Sequence, residues 1–173
     1  ALRAVGNIVT GTDHQTQLII NLQALPALLW MLNHHKKNVR KEACWTISNI
    51  TAGTVEQIQA VINANVLPKL VELLSSSDFD VQKEAAWAIS NATSGGSPQQ
   101  ITHIAHSGCI PPLCRLLKTR DDKIVTVALE GIDNILRTGQ EQGHTQFTDL
   151  VEQCDGSTYI EELQETAPQE TYN

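Results

Sequence analysis

The chain has 173 residues, 41% hydrophobic, 18% charged and 4% aromatic, with 10 Gly and 6 Pro, a balance that excludes disordered and collagen-like chains and leaves a folded core to explain. Its net charge of −7 is unevenly placed: residues 1–129 hold 11 Lys and Arg against 9 Asp and Glu, whereas residues 130–173 hold Arg137 alone against 10 acids. Such an acidic end disfavours nucleic acid and anionic membrane as partners and favours a basic one.

No run approaches the ~18 apolar residues of a membrane-spanning helix, and no charged-then-apolar leader opens the chain at Ala1, so a soluble intracellular protein is expected. Cys44, Cys109, Cys114 and Cys154 form no Cys-x-x-Cys pair and fall within apolar helical patterns. They read as reduced small hydrophobes, not zinc ligands or a disulfide framework.

In chain order, the first element is Leu2-Arg3-Ala4-Val5-Gly6-Asn7-Ile8-Val9-Thr10-Gly11, the end of a long helix. Its pattern returns 42 residues later as Arg40-Lys41-Glu42-Ala43-Cys44-Trp45-Thr46-Ile47-Ser48-Asn49-Ile50-Thr51-Ala52-Gly53, and after another 42 as Gln82-Lys83-Glu84-Ala85-Ala86-Trp87-Ala88-Ile89-Ser90-Asn91-Ala92-Thr93-Ser94-Gly95. A further shift of 43 reaches Leu129-Glu130-Gly131-Ile132-Asp133-Asn134-Ile135, the extra residue falling in the loop-like Gly95-Gly96-Ser97-Pro98.

A second element repeats in step at Leu25-Pro26-Ala27-Leu28-Leu29, Leu67-Pro68-Lys69-Leu70-Val71 and Ile110-Pro111-Pro112-Leu113-Cys114. Each Pro is predicted to occupy the first helical position, where its missing N–H costs nothing, and this Leu-rich helix is predicted to be the buried one. A third stretch, typified by Gln57-Ile58-Gln59-Ala60-Val61-Ile62, completes a three-helix unit. Units with this period bury their apolar faces by stacking on their neighbours. The segments at Ala1 and Asn173 are expected to belong to incomplete, uncapped units.

The long helices carry the functional signal. Trp45 and Asn49, and likewise Trp87 and Asn91, are four residues apart and share a helical face; Glu42 and Glu84 lie three residues before each Trp, and Ser48 three after Trp45. Core contacts of this helix are expected from Ala43, Ile47 and Ile50, which leaves the Trp residues for another role. The recurrent Asn sits at the wrong end of the helix for an N-terminal cap, but a carboxamide both donates and accepts, as recognition of an extended backbone requires.

Helices packed ~8–10 Å apart match about three residues of an extended chain at ~3.3 Å each. A Lys or Arg inserted between successive indoles packs its methylenes on the rings, meets their quadrupoles and pairs with Glu42 or Glu84.

GNIVTG at 6–11, RKEACWTISNITAG at 40–53 and KEAAWAISNATSGG at 83–96 resemble the later armadillo repeats of the importin alpha family of nuclear-import adaptors. The implied fold is all-α: a right-handed superhelical solenoid of armadillo repeats, three helices per unit. The units are a partial one at 1–11, repeats at 12–53, 54–96 and 97–139, and a partial acidic one at 140–173.

The resemblance implies an adaptor, moving between cytoplasm and nucleus, that binds nuclear localisation signal peptides antiparallel to its repeats. The region is that of the family's minor site. Asn7, Asn49 and Asn91 would hold peptide backbone, Trp45 and Trp87 flank basic side chains, Glu42 and Glu84 pair with them, and Ser48 add a backbone contact. Arg3 stands where the preceding Trp would be, and Glu130 replaces Trp ahead of Asn134, so the aromatic ladder has two rungs; Thr10, Glu130 and Asn134 are secondary candidates.

The family's basic segment for importin beta and its major site are not matched in this sequence, so no unaided import is implied. An export receptor and nucleoporins are implied at the acidic end as a region only. No cofactor or metal is called for. His103 and His106 are three apart and Asp121-Asp122 are paired, yet no nucleophile elbow or phosphate-cradling loop accompanies them, so an enzyme is not expected. The rival reading is a catenin-like armadillo scaffold for acidic segments; it requires a Lys/Arg-lined groove, where this one has Glu beside each Trp.

Overall fold

A computed structural model describes residues 1–166, in which twelve helices and no strands are found. After α1 (Leu2–Ile8), three units follow: α2 (Asp13–Asn21), α3 (Ala24–Leu32) and α4 (Lys37–Thr51); α5 (Val55–Asn63), α6 (Leu67–Leu73) and α7 (Phe79–Gly95); α8 (Pro98–His106), α9 (Ile110–Leu116) and α10 (Asp122–Gln142). The acidic end forms α11 (Gln146–Gln153) and α12 (Gly156–Thr166). The rest of the segment predicted as a partial unit at 140–173 lies outside the described residues.

Each unit opens on a reciprocal cap. Thr12, Thr54 and Ser97 accept through their hydroxyls from the backbone N–H of Gln15, Gln57 and Gln100, whose side chains accept in turn from the N–H of the capping residue. The first turn of each helix is thereby satisfied from both sides. Gly53 leaves room for this fold-back, since a Cβ there would lie 1.9 Å from Oε1 of Gln57.

The carboxamides of the second and third units also cross to the unit before. Nε2 of Gln57 donates to the Asp13 carbonyl at 2.8 Å, and Nε2 of Gln100 donates to the Val55 carbonyl and to Oε1 of Gln59, both at 2.9 Å. Both glutamines are buried, so each unit is keyed to its predecessor by a polar group with well-defined partners.

The first and second helices are joined by a left-handed residue, Gln23, Asn65 or Gly108. The helix that follows begins earlier than the Pro rule predicts. Pro68 and Pro111 are at the second helical position and Pro26 at the third. No N–H in the first turn has an intrahelical acceptor, so Pro costs no hydrogen bond at those positions either, and burial of Leu25, Leu67 and Ile110 holds the preceding residue helical.

Nor is this helix uniformly the buried one. In α9, Ile110, Pro112, Leu113, Cys114 and Leu116 are buried beneath α10, α11 and α12, whereas α3 exposes Trp30, at 68%. One and two units later Trp30 corresponds to Glu72 and Arg115, and Arg115 hydrogen-bonds Ser75 of the preceding unit. The position therefore faces backwards along the stack.

The long helices α1, α4, α7 and α10 pack side by side in that order. Helices α4 and α7 both bury small residues, Ala43, Cys44 and Ser48 on α4 and Ala85, Ala86, Ala88 and Ala92 on α7, which allows close approach. Thr51 Oγ1 adds a bond across the pair to the Ala88 carbonyl at 2.9 Å. Helix α10 runs past 139 to Gln142. Gly139 does not end it; it makes room for Phe147, whose Cδ2 would be 2.7 Å from a Cβ there, and the helix stops at the left-handed Gly143.

Candidate peptide-binding groove

Stacking α1, α4, α7 and α10 sets the repeated residues in a row. Ala43, Ile47 and Ile50 are fully buried, so the opposite side of α4 carries the Trp. Trp45 is half-buried, and Trp87 remains 40% exposed, a large exposure for a residue that would otherwise enter the core. On α1, Arg3, Asn7 and Thr10 are exposed, the Thr10 hydroxyl donating to the Asn7 carbonyl at 2.6 Å. Glu130 is exposed on α10 and Asn134 half-buried.

Trp45 leans on α1. A Cβ on Gly6 would lie 2.5 Å from Cζ3 of Trp45, so only glycine permits the indole to approach the backbone so closely. Three residues earlier on the same helical face, the Arg3 guanidinium lies 5.5 Å from the centre of the indole, and its Nη2 is 3.0 Å from Oε1 of Glu42. The other oxygen, Oε2 of Glu42, is buried without a hydrogen-bond partner among the described residues.

Glu84, equivalent to Glu42 one unit later, has no ion-pair partner among the described residues. Burial pushes its carboxyl pKa up, as do Glu42 and Asp80, while Lys41 and Lys83 draw it down. Burial disfavours the charged form of a carboxylate and nearby lysines favour it, so Glu84 is poised between the two.

The Asn row has intramolecular partners that the repeat pattern does not announce. Nδ2 of Asn49 donates to the Trp45 carbonyl at 3.1 Å, Nδ2 of Asn91 to the Ser48 carbonyl at 3.0 Å, and Nδ2 of Asn134 to the Thr93 hydroxyl at 3.3 Å. Each amide thus spends one donor on its own helix or the preceding long helix, and keeps a second N–H and its carbonyl oxygen. Ser48 is buried, its hydroxyl donating to the Trp45 carbonyl at 2.7 Å; its carbonyl, which receives Asn91, is engaged as well.

The remaining titratable groups have structural surroundings. Asp121 caps α10 by accepting from the Ile124 N–H at 3.1 Å. His106 packs edge-on against His144 and Phe147, and His103 is exposed. Burial pushes the thiols of Cys44 and Cys109 up to about 12 and that of Cys114 up to about 11, which keeps them protonated and apolar. Among the described residues no group of three or more metal-ligating side chains comes together, and no helix is long and apolar enough to cross a membrane.

Comparison with known proteins adds an independent line. The armadillo/beta-catenin-like repeat model matches residues 12–52, 54–94 and 97–137. Importin subunit alpha-1b of Oryza sativa subsp. japonica is 55% identical over 179 residues, an alignment covering 99% of this chain and 34% of that protein. Importin subunit alpha-3 of Arabidopsis thaliana is 53% identical over 172 residues, covering 95% and 32%. The chain therefore spans about a third of the length of the curated relatives it matches.

Among solved structures, a designed armadillo repeat protein in complex with the peptide (KR)4 superposes with a TM-score of 0.76 at 29% identity, covering 98% of this chain and 86% of that one. Proteins of this kind are non-enzymatic adaptors and scaffolds. From repeat, fold and relatives alike, the chain belongs to the armadillo-repeat proteins and, among them, to the importin alpha family.

Proposed function

We propose that the row formed by α1, α4 and α7 binds an extended Lys/Arg-rich peptide of the nuclear-localisation-signal kind, and that the chain serves as the later, minor-site region of a nuclear-import adaptor moving between cytoplasm and nucleus. The observation that carries this reading is part-exposed Trp87 three residues along the helix from Glu84, a part-buried carboxylate that has no ion-pair partner among the described residues. A ligand ammonium or guanidinium supplies the missing charge, while Trp45 and Trp87 receive its methylene stem.

Asn7, Asn49 and Asn91 then engage the peptide backbone through the amide donor and acceptor left free. Asn134 and Glu130 extend the row without an indole. The peptide (KR)4 bound by the designed armadillo protein supports basic cargo by likeness. Importin beta is proposed as a partner of the whole adaptor, engaged outside this groove. Helices α11 and α12, with the acidic end, are the region proposed for an export receptor and nucleoporins.

The test is fluorescence anisotropy with a Lys/Arg-rich and a Glu/Asp-rich peptide of equal length, each titrated at low and at physiological salt. The basic peptide is expected to bind, and to bind several-fold more weakly in the higher salt, where the screening length is ~8 Å. Preference for the acidic peptide would replace this reading with the catenin-like one, and a salt-independent affinity would remove the carboxylates from it.

A further inference from the structure

The junction between α8 and the acidic end is built differently from the two before it. Gln57 and Gln100 key the second and third units to their predecessors. Thr145, by contrast, opens α11 without a side-chain cap, and Gln146 reaches towards two imidazoles. Its Nε2 lies 3.5 Å from Nε2 of His106 on α8 and 3.3 Å from Nδ1 of His144, in the turn after α10.

Hydrogen-bond partners fix what those two ring nitrogens carry. Nδ1 of His106 is 2.9 Å from the Thr102 carbonyl, which can only accept, so Nδ1 holds the proton and Nε2 of the neutral ring is bare. An amide nitrogen can only donate, so Nδ1 of His144 is bare as well. Two lone pairs, from α8 and from the turn before α11, thus converge on one point. Both rings rest on the buried side chain of Phe147, their centres 5.0 Å and 5.6 Å from its own, in the space that Gly139 leaves.

Convergent bare imidazole nitrogens are ligands for a borderline divalent ion. A ligating His also typically donates its other N–H to a carbonyl or carboxylate, as His106 does to Thr102. The local field has the right sign, since residues 130–173 hold 10 acids against Arg137 alone. The pair His34 and His35 lacks these features although its rings stack at 4.3 Å. Nδ1 of His34 accepts from the Lys36 N–H, and the Arg40 guanidinium donates to the His34 carbonyl at 2.7 Å, so positive charge already stands there.

The geometry points to a two-imidazole site for a divalent transition-metal ion of the zinc class, held by Nε2 of His106 and Nδ1 of His144 once the Gln146 amide moves aside. Water completes the four-coordinate shell. The bound ion joins α8 to the start of α11, in place of the glutamine bridge that keys the earlier units, and so fastens the acidic end to the third unit. It lies off the Trp and Asn row, on helices that the peptide groove does not use.

The test is titration of the full chain, freed of metal and kept reduced, with ZnCl2, followed by NMR shifts of the imidazole nitrogens and by thermal melting. One equivalent of Zn²⁺ is expected to shift Nε2 of His106 and Nδ1 of His144 most strongly, and to raise the melting temperature by binding the folded chain. Mg²⁺, which takes oxygen ligands, does neither. His106→Gln and His144→Gln, shown to be folded by circular dichroism, each weaken zinc binding at least about tenfold. Shifts centred on other histidines or on Cys154, no stoichiometric binding, or an unchanged affinity in folded His106→Gln overturns the inference. The ring-nitrogen shifts are read in the wild type, so the site stands or falls on them even where a variant does not fold.

Discussion

Trp45 and Trp87 look alike in the sequence, yet their surroundings differ. Trp45 rests on α1 at Gly6 with Arg3 over its ring, while Trp87 is 40% exposed and Glu84, three residues before it, has no ion-pair partner among the described residues. The Trp-x-x-x-Asn spacing was enough to put both on one face and to separate them from Ala43, Ile47 and Ile50. It could not show that Asn91 donates across units to the Ser48 carbonyl, because that bond joins residues 43 apart. The consequence for Glu84 is quantitative. Its folded-state pKa is raised by burial, so its contribution to stability is complete below the ordinary glutamate value and is lost as pH rises through the raised one. A ligand cation acts in the opposite sense by favouring the ionised form. Glu84→Gln is therefore expected to leave thermal stability at neutral pH unchanged or slightly higher, and to weaken binding of a basic peptide about fivefold, from ~1 kcal/mol for a partly exposed ion pair. In the wild type, affinity should rise with pH across the titration of Glu84 and this dependence should vanish in the variant; an equal pH dependence in both would remove Glu84 from the cation site.

The helices were legible in type and order, since three 42- or 43-residue units supply the pattern several times over, but their ends were less so. Pro26, Pro68 and Pro111 mark the neighbourhood of a helix start, not its first residue, because the whole first turn tolerates Pro. The repeat bounded at 97–139 ends on Gly139, yet that residue is a packing glycine against Phe147 inside the helix, and the stop is Gly143. A signal present in the sequence yet easily passed over is the Thr/Ser-x-x-Gln spacing at 12–15, 54–57 and 97–100, whose glutamines form caps and, in two units, bridges. Its importance can be measured by comparing variants. Gln57→Ala or Gln100→Ala removes a buried amide with bonds to two units and is expected to cost about 2 kcal/mol, or roughly 4–8 °C in melting temperature for a chain of this size. Gln15→Ala removes the exposed half of a cap alone and should cost less than half as much. Equal effects for all three would mean that the bridge between units contributes nothing.

At the scale of the molecule, the stack of α1, α4, α7 and α10 turns a repeat in sequence into a row of side chains in space. The net charge of −7 is not a property of that row alone: among the described residues, Asp149, Glu152, Asp155, Glu161, Glu162 and Glu165 lie beyond it, on or beside α11 and α12. Families of such units are recognisable because stacking requires the same apolar face each time, whereas a single departure such as Arg3 for Trp becomes intelligible only from the contacts it makes with the next unit. The central claim is that two indoles form the cation slot. It is tested most directly by isothermal titration of a Lys/Arg-rich peptide into the wild type and into the Trp45→Ala, Trp87→Ala double variant. Each indole is expected to contribute ~0.5–2 kcal/mol through its cation contact alone, or ~1–4 kcal/mol together, so the double variant should bind at least about fivefold more weakly while remaining helical; an unchanged affinity in a folded double variant would contradict the ladder.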